Sequence, residues 1–198
     1  MKYLFFDTET TGFPNGKLNL NHDDQPHLVQ VGMLLRDDRK EVARASLVVT
    51  CPVEVPEKAR SVHGYDQEAT IRVGVKPSTA CALFCDMAHR ADTIVAHNAQ
   101  FDRKIMDIAL LRHGWPKPET SWFCTMSAAE HRCKIPASEK QIRAGFKKRG
   151  QFKSPKLEEA LKILLREEAL EGAHDAMTDV LGCMRLFDWL QENMGTSS

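Results

Sequence analysis

Two acidic residues close the first apolar segment of the chain. Asp7 and Glu9 directly follow the apolar run that ends at Phe6. A period of two in a β-strand puts both carboxylates on one face, while Thr8 points to the other. Such a pair suits a divalent metal ion, which prefers hard oxygen donors. A strand that turns polar where it reaches solvent would give the same pattern, so this pair alone does not identify a metal site.

A third carboxylate lies in the middle of the chain, after another apolar run. The run Ile94 to Ala96 is typical of a buried central strand, and the following Asn98 is predicted to cap a helix. Asp102 then falls in the first turn of that helix, and active-site residues commonly gather where such strands end. The simpler interpretation is that Asp102 only complements the helix dipole, which is worth under ~1 kcal/mol.

A histidine and a fourth carboxylate, His174 and Asp179, lie at the start of the last predicted helix. Within one helix, five positions would turn their side chains roughly 140° apart. If His174 instead stands in the preceding loop and the helix begins near Asp175, its imidazole is free to lean over whatever Asp179 binds. A solvated or core-packed histidine is the alternative.

In order and spacing, these residues resemble the motifs of the DEDDh exonucleases of the DnaQ-like superfamily. The resemblance is carried by Phe6-Asp7-Thr8-Glu9-Thr10-Thr11-Gly12, by His97-Asn98-x-x-Phe101-Asp102 and by His174-x-x-x-x-Asp179, with Lys156-Leu157 as a further match. It spans nearly the whole chain. The resemblance implies a ribonuclease H-like fold and a 3′→5′ exonuclease that releases nucleoside 5′-monophosphates.

The resemblance also implies a role for each of these residues. Asp7, Glu9, Asp102 and Asp179 would hold two divalent cations, and His174 would be the general base. Oxygen donors favour Mg²⁺ or Mn²⁺ over zinc, and two ions ~3.5–4 Å apart can stabilise both reacting oxygens of a phosphodiester. Without metal, some of these carboxylates would have raised pKa values. Because an imidazole in solution titrates near ~6.5, activity is expected to fall at acid pH.

The nucleotide-binding residues that the resemblance implies belong to the same motifs or lie between them. They are Thr11, Gly12, Phe13, His63, Asn98 and Phe101. An aromatic ring among them would stack on a base. For the two phenylalanines the alternative is core packing, and for His63 it is a turn that ends a helix.

Single-stranded DNA is favoured over RNA, because Asp-Thr-Glu-Thr-Thr-Gly looks more like the start of proofreading DNA exonucleases. The alternative is an enzyme that trims RNA 3′ ends. It stays open because the sequence shows no residue that would read a 2′-hydroxyl and so distinguish RNA from DNA. A different class is a catalytically inactive module that binds nucleic acid or a polymerase. The competent residues at all five chemical positions argue against that class, and a polymerase stays a candidate partner of an active enzyme.

The elements that would position these residues alternate along the chain. Strands are predicted at Lys2–Asp7, Leu28–Leu35, Val42–Thr50, Thr93–His97 and Trp122–Thr125, and helices at 56–62, 77–90, 98–113, 157–165 and 173–191. The second and third strands have the spacing of an antiparallel hairpin. We therefore predict an α/β fold with a mixed five-stranded sheet, an antiparallel N-terminal three-stranded part and helices on both faces, formed by a single domain over residues 1–198.

Length and composition favour one compact domain. The 198 residues are 42% hydrophobic and 27% charged, which is enough to bury a substantial core without disulfides. No apolar run approaches the ~20 residues of a membrane span. The N-terminus is unlike a secretion signal, so the cytoplasm is the expected compartment. The six cysteines contain no C-x-x-C pair, and Cys81 and Cys85, one helical turn apart, are expected to pack rather than bind metal.

The charges are unevenly distributed. The totals are 27 basic and 27 acidic residues, and a net charge of zero by itself argues against a nucleic-acid partner. Residues 132–156, however, contain nine basic residues and one acid, Glu139, so the rest of the chain is net −8. This segment either steers phosphate backbones or is a solvated loop. The loop from Pro14 to His27 departs from the shortest pattern of the family that the motifs resemble, and its His22 and His27 are expected to be solvated rather than metal ligands.

Overall fold

A mixed sheet forms the centre of the structure, a computed structural model that describes residues 1–148, 150–167 and 172–193. Its five strands are β1 (Lys2–Thr10), β2 (Leu28–Asp37), β3 (Lys40–Val48), β4 (Thr93–Ala96) and β5 (Ser121–Cys124). They lie in the order β3-β2-β1-β4-β5. Strand β2 is antiparallel to β1 and β3, whereas β4 is parallel to β1 and to β5. The predicted mixed sheet with an antiparallel N-terminal part is confirmed.

Helices fill the connections between and after the strands. They are α1 (Glu57–His63), α2 (Gln67–Val73), α3 (Pro77–Ala88), α4 (Ala99–Arg112), α5 (Thr125–Cys133), α6 (Glu139–Arg143), α7 (Leu157–Ala160) with a π-helical continuation (Leu161–Leu165), and α8 (Ala176–Asn193). The sequence did not predict α2, α5 and α6. These helices have seven, nine and five residues, so a helical period is weak in them. Helix α1 is as short, but Pro56 before it and His63-Gly64 at its end marked its limits.

The alternation of side chains in β1 divides the core into two halves. Leu4 and Phe6 pack in the cluster that includes Phe84 of α3 and Met106 of α4. Phe5 points to the other face and packs with α8. Helices therefore cover both faces, as predicted. The same period of two carries Asp7 and Glu9 onto the α8 face of the sheet and Thr8 onto the α4 face.

Strand β2 presents a second alternating row of side chains to α8. Leu34 belongs to the α8 core, and Gly32 and Gln30 follow on the same face toward the acidic end of β1. Gly32 lies opposite Asp7, and Gln30 lies opposite Glu9. A Cβ atom on Gly32 would come within 2.5 Å of the carbonyl oxygen of Ala176. The absence of a side chain at Gly32 thus lets the first turn of α8 rest directly on the sheet beside Asp7.

Two further expectations concern the cysteines and membranes. Cys81 and Cys85 are buried in the core between α3 and the sheet, and burial raises the pKa of both thiols, so the prediction of packing agrees with the structure. Within the three described ranges, no helix has both the length and the apolar character needed to cross a bilayer.

Substitution Gly32→Ala should destabilise the protein because the new methyl group would collide with the backbone of Ala176. Such overpacking typically costs about 1–3 kcal/mol, which corresponds to roughly 2–4 °C in Tm for each kcal/mol at this chain length. Thermal unfolding followed by circular dichroism measures the effect. The matched control is Gly16→Ala, since nothing lies within 4 Å of a Cβ at that position. Equal Tm values for both variants would contradict the close approach of β2 and α8.

Candidate active site

The ends of β1 and β4 and the start of α8 meet at one cavity of about 670 Å³. Every residue that the sequence singled out for chemistry lines it, namely Asp7, Glu9, Asp102, His174 and Asp179. The residues singled out for nucleotide binding line it as well, namely Thr11, Gly12, Phe13, His63, Asn98 and Phe101. Residues from three distant parts of the sequence are thus brought together as the spacing argument required.

The four carboxylates sit at different depths in this cavity. Asp102 is buried, with 2% of its surface exposed, and its Oδ1 accepts a hydrogen bond of 2.9 Å from the hydroxyl of Thr8. Glu9 and Asp179 are half-buried nearer the opening. Glu9, Asp179 and His174 each offer a ligand atom within 4.8 Å of the others. This spacing would allow one cation to bridge β1 and the start of α8.

Burial raises the pKa values of all four carboxyl groups, and neighbouring acidic groups raise them further. Burial first, and then Asp102 and Asp179, raise the pKa of Asp7 well above its ordinary value. Burial, followed by the same two neighbours, raises the pKa of Glu9 to about 8. Burial also raises the pKa of Asp102 to about 7 against the hydrogen bond from Thr8, and that of Asp179 to about 6 against the influence of His174.

This donor set fits divalent cations. In the described ranges, no lysine or arginine forms an ion pair with any of these four carboxylates. No directly paired lysine or arginine of the described residues therefore neutralises these carboxylates, and bound protons or cations can do so instead. The carboxylate oxygens of these four residues are hard donors, the kind of ligand that Mg²⁺ and Mn²⁺ prefer.

His174 stands in the loop that leads into α8. Its backbone has a φ of 69°, and the side chain is exposed. The prediction that the last helix starts near Ala173 is wrong, because α8 begins at Ala176. Asp175 caps it, since its Oδ1 accepts from the backbone N–H groups of Met177 and Thr178 at 3.2 Å. The left-handed backbone turns His174 out of the helical path, so it shares the cavity with Asp179 as the second interpretation required.

Gln30 is a positioning residue that the sequence reasoning missed. It is buried, with 2% of its surface exposed. Its side-chain N–H donates to Oδ2 of Asp175 at 2.7 Å, and its Oε1 accepts from the backbone N–H of Ala176 at 3.1 Å. Gln30 thereby fixes the start of α8, and with it the loop that holds His174, to β2. A single amide side chain in an otherwise apolar strand was the available signal.

His97 belongs to the second motif but received no role from the sequence. Its Nδ1 lies 3.0 Å from the hydroxyl of Thr125, and its Nε2 lies 3.0 Å from the carbonyl oxygen of Pro155. A carbonyl only accepts hydrogen bonds, so Nε2 carries the proton and Nδ1 accepts from Thr125. Burial lowers the pKa of His97 to about 4, which keeps the ring neutral. His97 therefore joins the end of β4 to the wall of the cavity at Pro155.

Two aromatic rings line the nucleotide-binding side of the cavity. Phe13 is 78% exposed, and its ring centroid lies 5.6 Å from that of the half-buried Phe101. Core packing is therefore excluded for Phe13, whereas Phe101 also packs against the core cluster. The turn before Phe13 is held by a reciprocal pair, because Thr11 N–H donates to the carbonyl of His27 and His27 N–H donates to the hydroxyl of Thr11, both at 3.0 Å.

Asn98 and His63 complete this side of the cavity. Asn98 occupies the N-cap position of α4 with a φ of 70°, but its side chain makes no capping hydrogen bond. The prediction of an ordinary cap is thus wrong for the side chain, which lines the cavity instead. His63 is the last residue of α1, as the turn interpretation predicted, and it also lines the cavity. Its Nδ1 accepts from the backbone N–H of Tyr65. Burial lowers the pKa of His63, and a backbone interaction with Thr10 opposes that shift.

In the loop before β2, the prediction that both histidines are solvated holds for one of them. His22 is exposed, as predicted. His27 is half-buried, and burial, with a contribution from Arg112, lowers its pKa to about 4. The guanidinium of Arg112 donates to the carbonyl oxygens of Pro26 and Gln25. Arg112 thus anchors the loop that carries Phe13.

Comparisons with known proteins define the class of fold. No protein-family model and no curated protein sequence matches the chain. Solved structures do match, and they give it the ribonuclease H-like exonuclease fold that the motifs implied. At the identities found, they establish the fold alone.

These neighbours are structures of exonuclease I. E. coli exonuclease I with a 5cy-dT13 oligonucleotide is 15% identical, with a TM-score of 0.72, over 98% of this chain and 41% of that chain. A product-bound exonuclease I is 14% identical, with a TM-score of 0.73, over 98% and 44%. The zinc-bound form of the E. coli ExoI–ssDNA complex is 15% identical, with a TM-score of 0.72, over 98% and 41%. The chain thus spans about two-fifths of the length of these neighbours.

Metal-free protein should lose stability as the pH rises. In the folded protein the pKa of Glu9 is raised from 4.5 to about 8. Between these two pH values Glu9 therefore keeps its proton in the folded protein and loses it in the unfolded chain. The unfolding free energy therefore falls across this window, and Mg²⁺ should restore more stability at its upper end than at its lower end. Thermal unfolding in EDTA and in Mg²⁺ across the window measures both effects.

The variant Glu9→Gln removes one of the repelling charges from this cavity. In this variant the unfolding free energy should depend less on pH, and Mg²⁺ should stabilise the protein less. Glu54→Gln, at an exposed position, is the matched control and should behave as wild type. A metal-free Tm that rises with pH through this window would contradict the repulsion between these carboxylates.

Proposed function

We propose that the chain is a metal-dependent 3′→5′ exonuclease that hydrolyses terminal phosphodiesters of single-stranded DNA to nucleoside 5′-monophosphates. The observation that carries the proposal is the meeting of Asp7, Glu9, Asp102 and Asp179 with His174 in one cavity. The fold shared with exonuclease I supports it, since several of those structures contain single-stranded DNA oligonucleotides. Residues 1–198 would act as one exonuclease domain.

In this proposal the four carboxylates hold two divalent cations, Mg²⁺ or Mn²⁺. Such a pair, when bound, lowers the pKa of a water molecule and stabilises the attacking and leaving oxygens of the phosphodiester. Asp102 supplies the most deeply buried ligand, and Thr8 fixes its orientation through a hydrogen bond, while Asp7 lies beside it at the end of β1. Glu9 and Asp179 close the site on the side of the opening.

His174 is the proposed general base. It is exposed at the cavity opening and its imidazole lies within 4.8 Å of ligand atoms of Glu9 and Asp179. Its position outside α8 leaves the ring free to take a proton from an attacking water. Its backbone N–H donates to Oδ2 of Asp179 at 3.3 Å. This hydrogen bond fixes the loop beside the proposed metal ligand.

The terminal nucleotide would lie against the aromatic side of the cavity. The exposed ring of Phe13 and the half-buried ring of Phe101 offer apolar surfaces to a base. The turn at Thr11 and Gly12 and the imidazole of His63 line the same side of the cavity. These groups contact a nucleotide without reading its base edge, which suits an enzyme that removes any nucleotide.

The first test follows release of mononucleotides from 3′- and 5′-labelled single-stranded DNA and RNA in Mg²⁺, Mn²⁺ or EDTA. Wild type should release them from the 3′ end only with metal. Asp7→Ala should abolish release, and His174→Ala should lower kcat by roughly 10²–10⁴-fold, the usual contribution of a general base. His89→Ala, at an exposed position, is the control and should retain activity. Faster release from RNA would favour an exoribonuclease, and absence of release with retained binding would favour an inactive binding module.

The second test separates proton uptake by the base from proton uptake by the ligands. Cations must displace the protons that the raised pKa values of Glu9, Asp102 and Asp179 retain. At low metal concentration the loss of activity at acid pH should therefore shift toward neutral pH. At saturating metal a loss should persist in wild type and disappear in His174→Ala. A flat wild-type rate between about pH 5 and about pH 9 at saturating Mn²⁺ would contradict the role of His174.

A further inference from the structure

The basic segment of the sequence forms a defined projection beside the cavity. We call it the arm, residues 134–148 and 150–156, which lies between α5 and α7. Its two limbs pair at the base, because Lys153 N–H donates to the carbonyl of Ile135 at 2.8 Å and Ala137 N–H donates to that of Gln151 at 3.0 Å. Helix α6 begins within it at a capping box formed by Ser138 and Gln141. The arm is therefore a structured element rather than an unpaired loop.

Two lysines of the arm attach it to the rest of the protein. Lys147 Nζ donates to Glu130 of α5 at 2.7 Å, and Lys153 Nζ donates to Glu159 of α7 at 2.5 Å. Ser154 adds a hydrogen bond of 2.7 Å to the other oxygen of Glu130. These contacts use only part of the positive charge of the arm.

The other basic side chains of the arm point to solvent. Lys140, Arg143 and Lys148 are exposed, and none of them forms an ion pair with a described residue. Between them lies Phe146, which is 79% exposed and follows Gly145 with a φ of +75°. An exposed aromatic ring flanked by unpaired cations is the combination that proteins use to bind single-stranded nucleic acid, since the ring stacks on bases and the cations contact phosphates.

The arm is continuous with the wall of the cavity. Ser154, Pro155 and Lys156 end the arm and also line the cavity. The carbonyl of Pro155 is held by His97, the residue that follows β4 and precedes Asn98. A strand whose 3′ nucleotide occupies the cavity could thus pass directly onto the arm.

From this charge, the exposed ring and the continuity with the cavity, we propose that the arm binds the single strand on the 5′ side of the terminal nucleotide. Phe146 stacks on a base, and Arg143 and Lys148 contact the phosphates on either side. The inference rests on the proposed function, since it extends the same substrate beyond the cavity. It makes the arm responsible for affinity for long strands and leaves hydrolysis to the cavity.

The experiment compares two double variants that each remove two positive charges. Arg143→Gln/Lys148→Gln removes the two exposed cations proposed to contact phosphates, and Lys2→Gln/Lys40→Gln removes two lysines at the end of the sheet opposite the acidic site. Binding of labelled single-stranded DNA is measured by fluorescence anisotropy over a range of salt concentrations. The arm variant should bind more weakly, and the slope of log K against log salt should fall in magnitude by about 1.4, or 0.7 for each lost phosphate contact. The control variant should match wild type.

A single variant, Phe146→Ala, tests the stacking contact. It should weaken binding of a long strand by about 5-fold or more, as expected for loss of one stacked base. A dinucleotide would fill the cavity without extending to Phe146, Arg143 or Lys148, so its hydrolysis should be unchanged in this variant and in Arg143→Gln/Lys148→Gln. Unchanged dinucleotide hydrolysis also shows that the cavity is intact.

Failure of the two proposals would look different. If wild type hydrolyses no substrate but the arm variants still bind DNA more weakly, the proposed exonuclease activity is wrong and the proposal that the arm binds DNA is supported. If wild type is an active exonuclease and the arm variants bind long strands as tightly as wild type, the arm proposal is overturned. Equal weakening by the arm and control double variants would also overturn it, because only net charge would then matter.

Discussion

The structure depends on holding four carboxylates together against their mutual repulsion. Burial and neighbouring charges raise the pKa values of Asp7, Glu9, Asp102 and Asp179, so their assembly in metal-free protein costs free energy. These residues come from both ends and the middle of the chain. The surrounding apolar core must therefore supply the stabilisation that keeps them close. The two core clusters on either side of β1 do this, since β1 lies between β2 and β4 and carries two of the four carboxylates.

Strand β2 fixes the position of α8 relative to the sheet, because one face of the strand contacts the helix at several points along the length of the helix. Near the cavity, Gly32 admits the first turn of α8 and Gln30 binds Asp175 and the backbone of Ala176. At the far end, the buried guanidinium of Arg36 binds both carboxylate oxygens of Asp188 at 2.8 and 2.6 Å. A helix held at both ends cannot rotate, so Asp179 stays directed toward Asp7 despite the repulsion between them.

The sequence predicted those parts of the structure that depend on local periodicity or on motif order. The alternation in β1 places Asp7 and Glu9 on one face, and the three motifs contain the four carboxylates and the histidine that meet in the acidic cavity. The sequence did not predict features that depend on distant partners or on unusual backbone. Gln30 acquires its role from a residue 145 positions away. Asn98 and His174 depend on left-handed backbone, an uncommon conformation that asparagine and histidine adopt more often than most residues but that their presence does not predict.

The separation of charge in this chain follows from the same acidic cavity. In the proposed enzyme, two divalent cations would balance the four carboxylates and leave the loaded cavity without a net positive field. Attraction of a polyanion over distance must then come from another surface. The rest of the chain is acidic, whereas the arm is basic and joins the cavity at Pro155. A net charge of zero therefore conceals two opposite regions, one able to hold cations and the other able to hold the phosphates that those cations would act on.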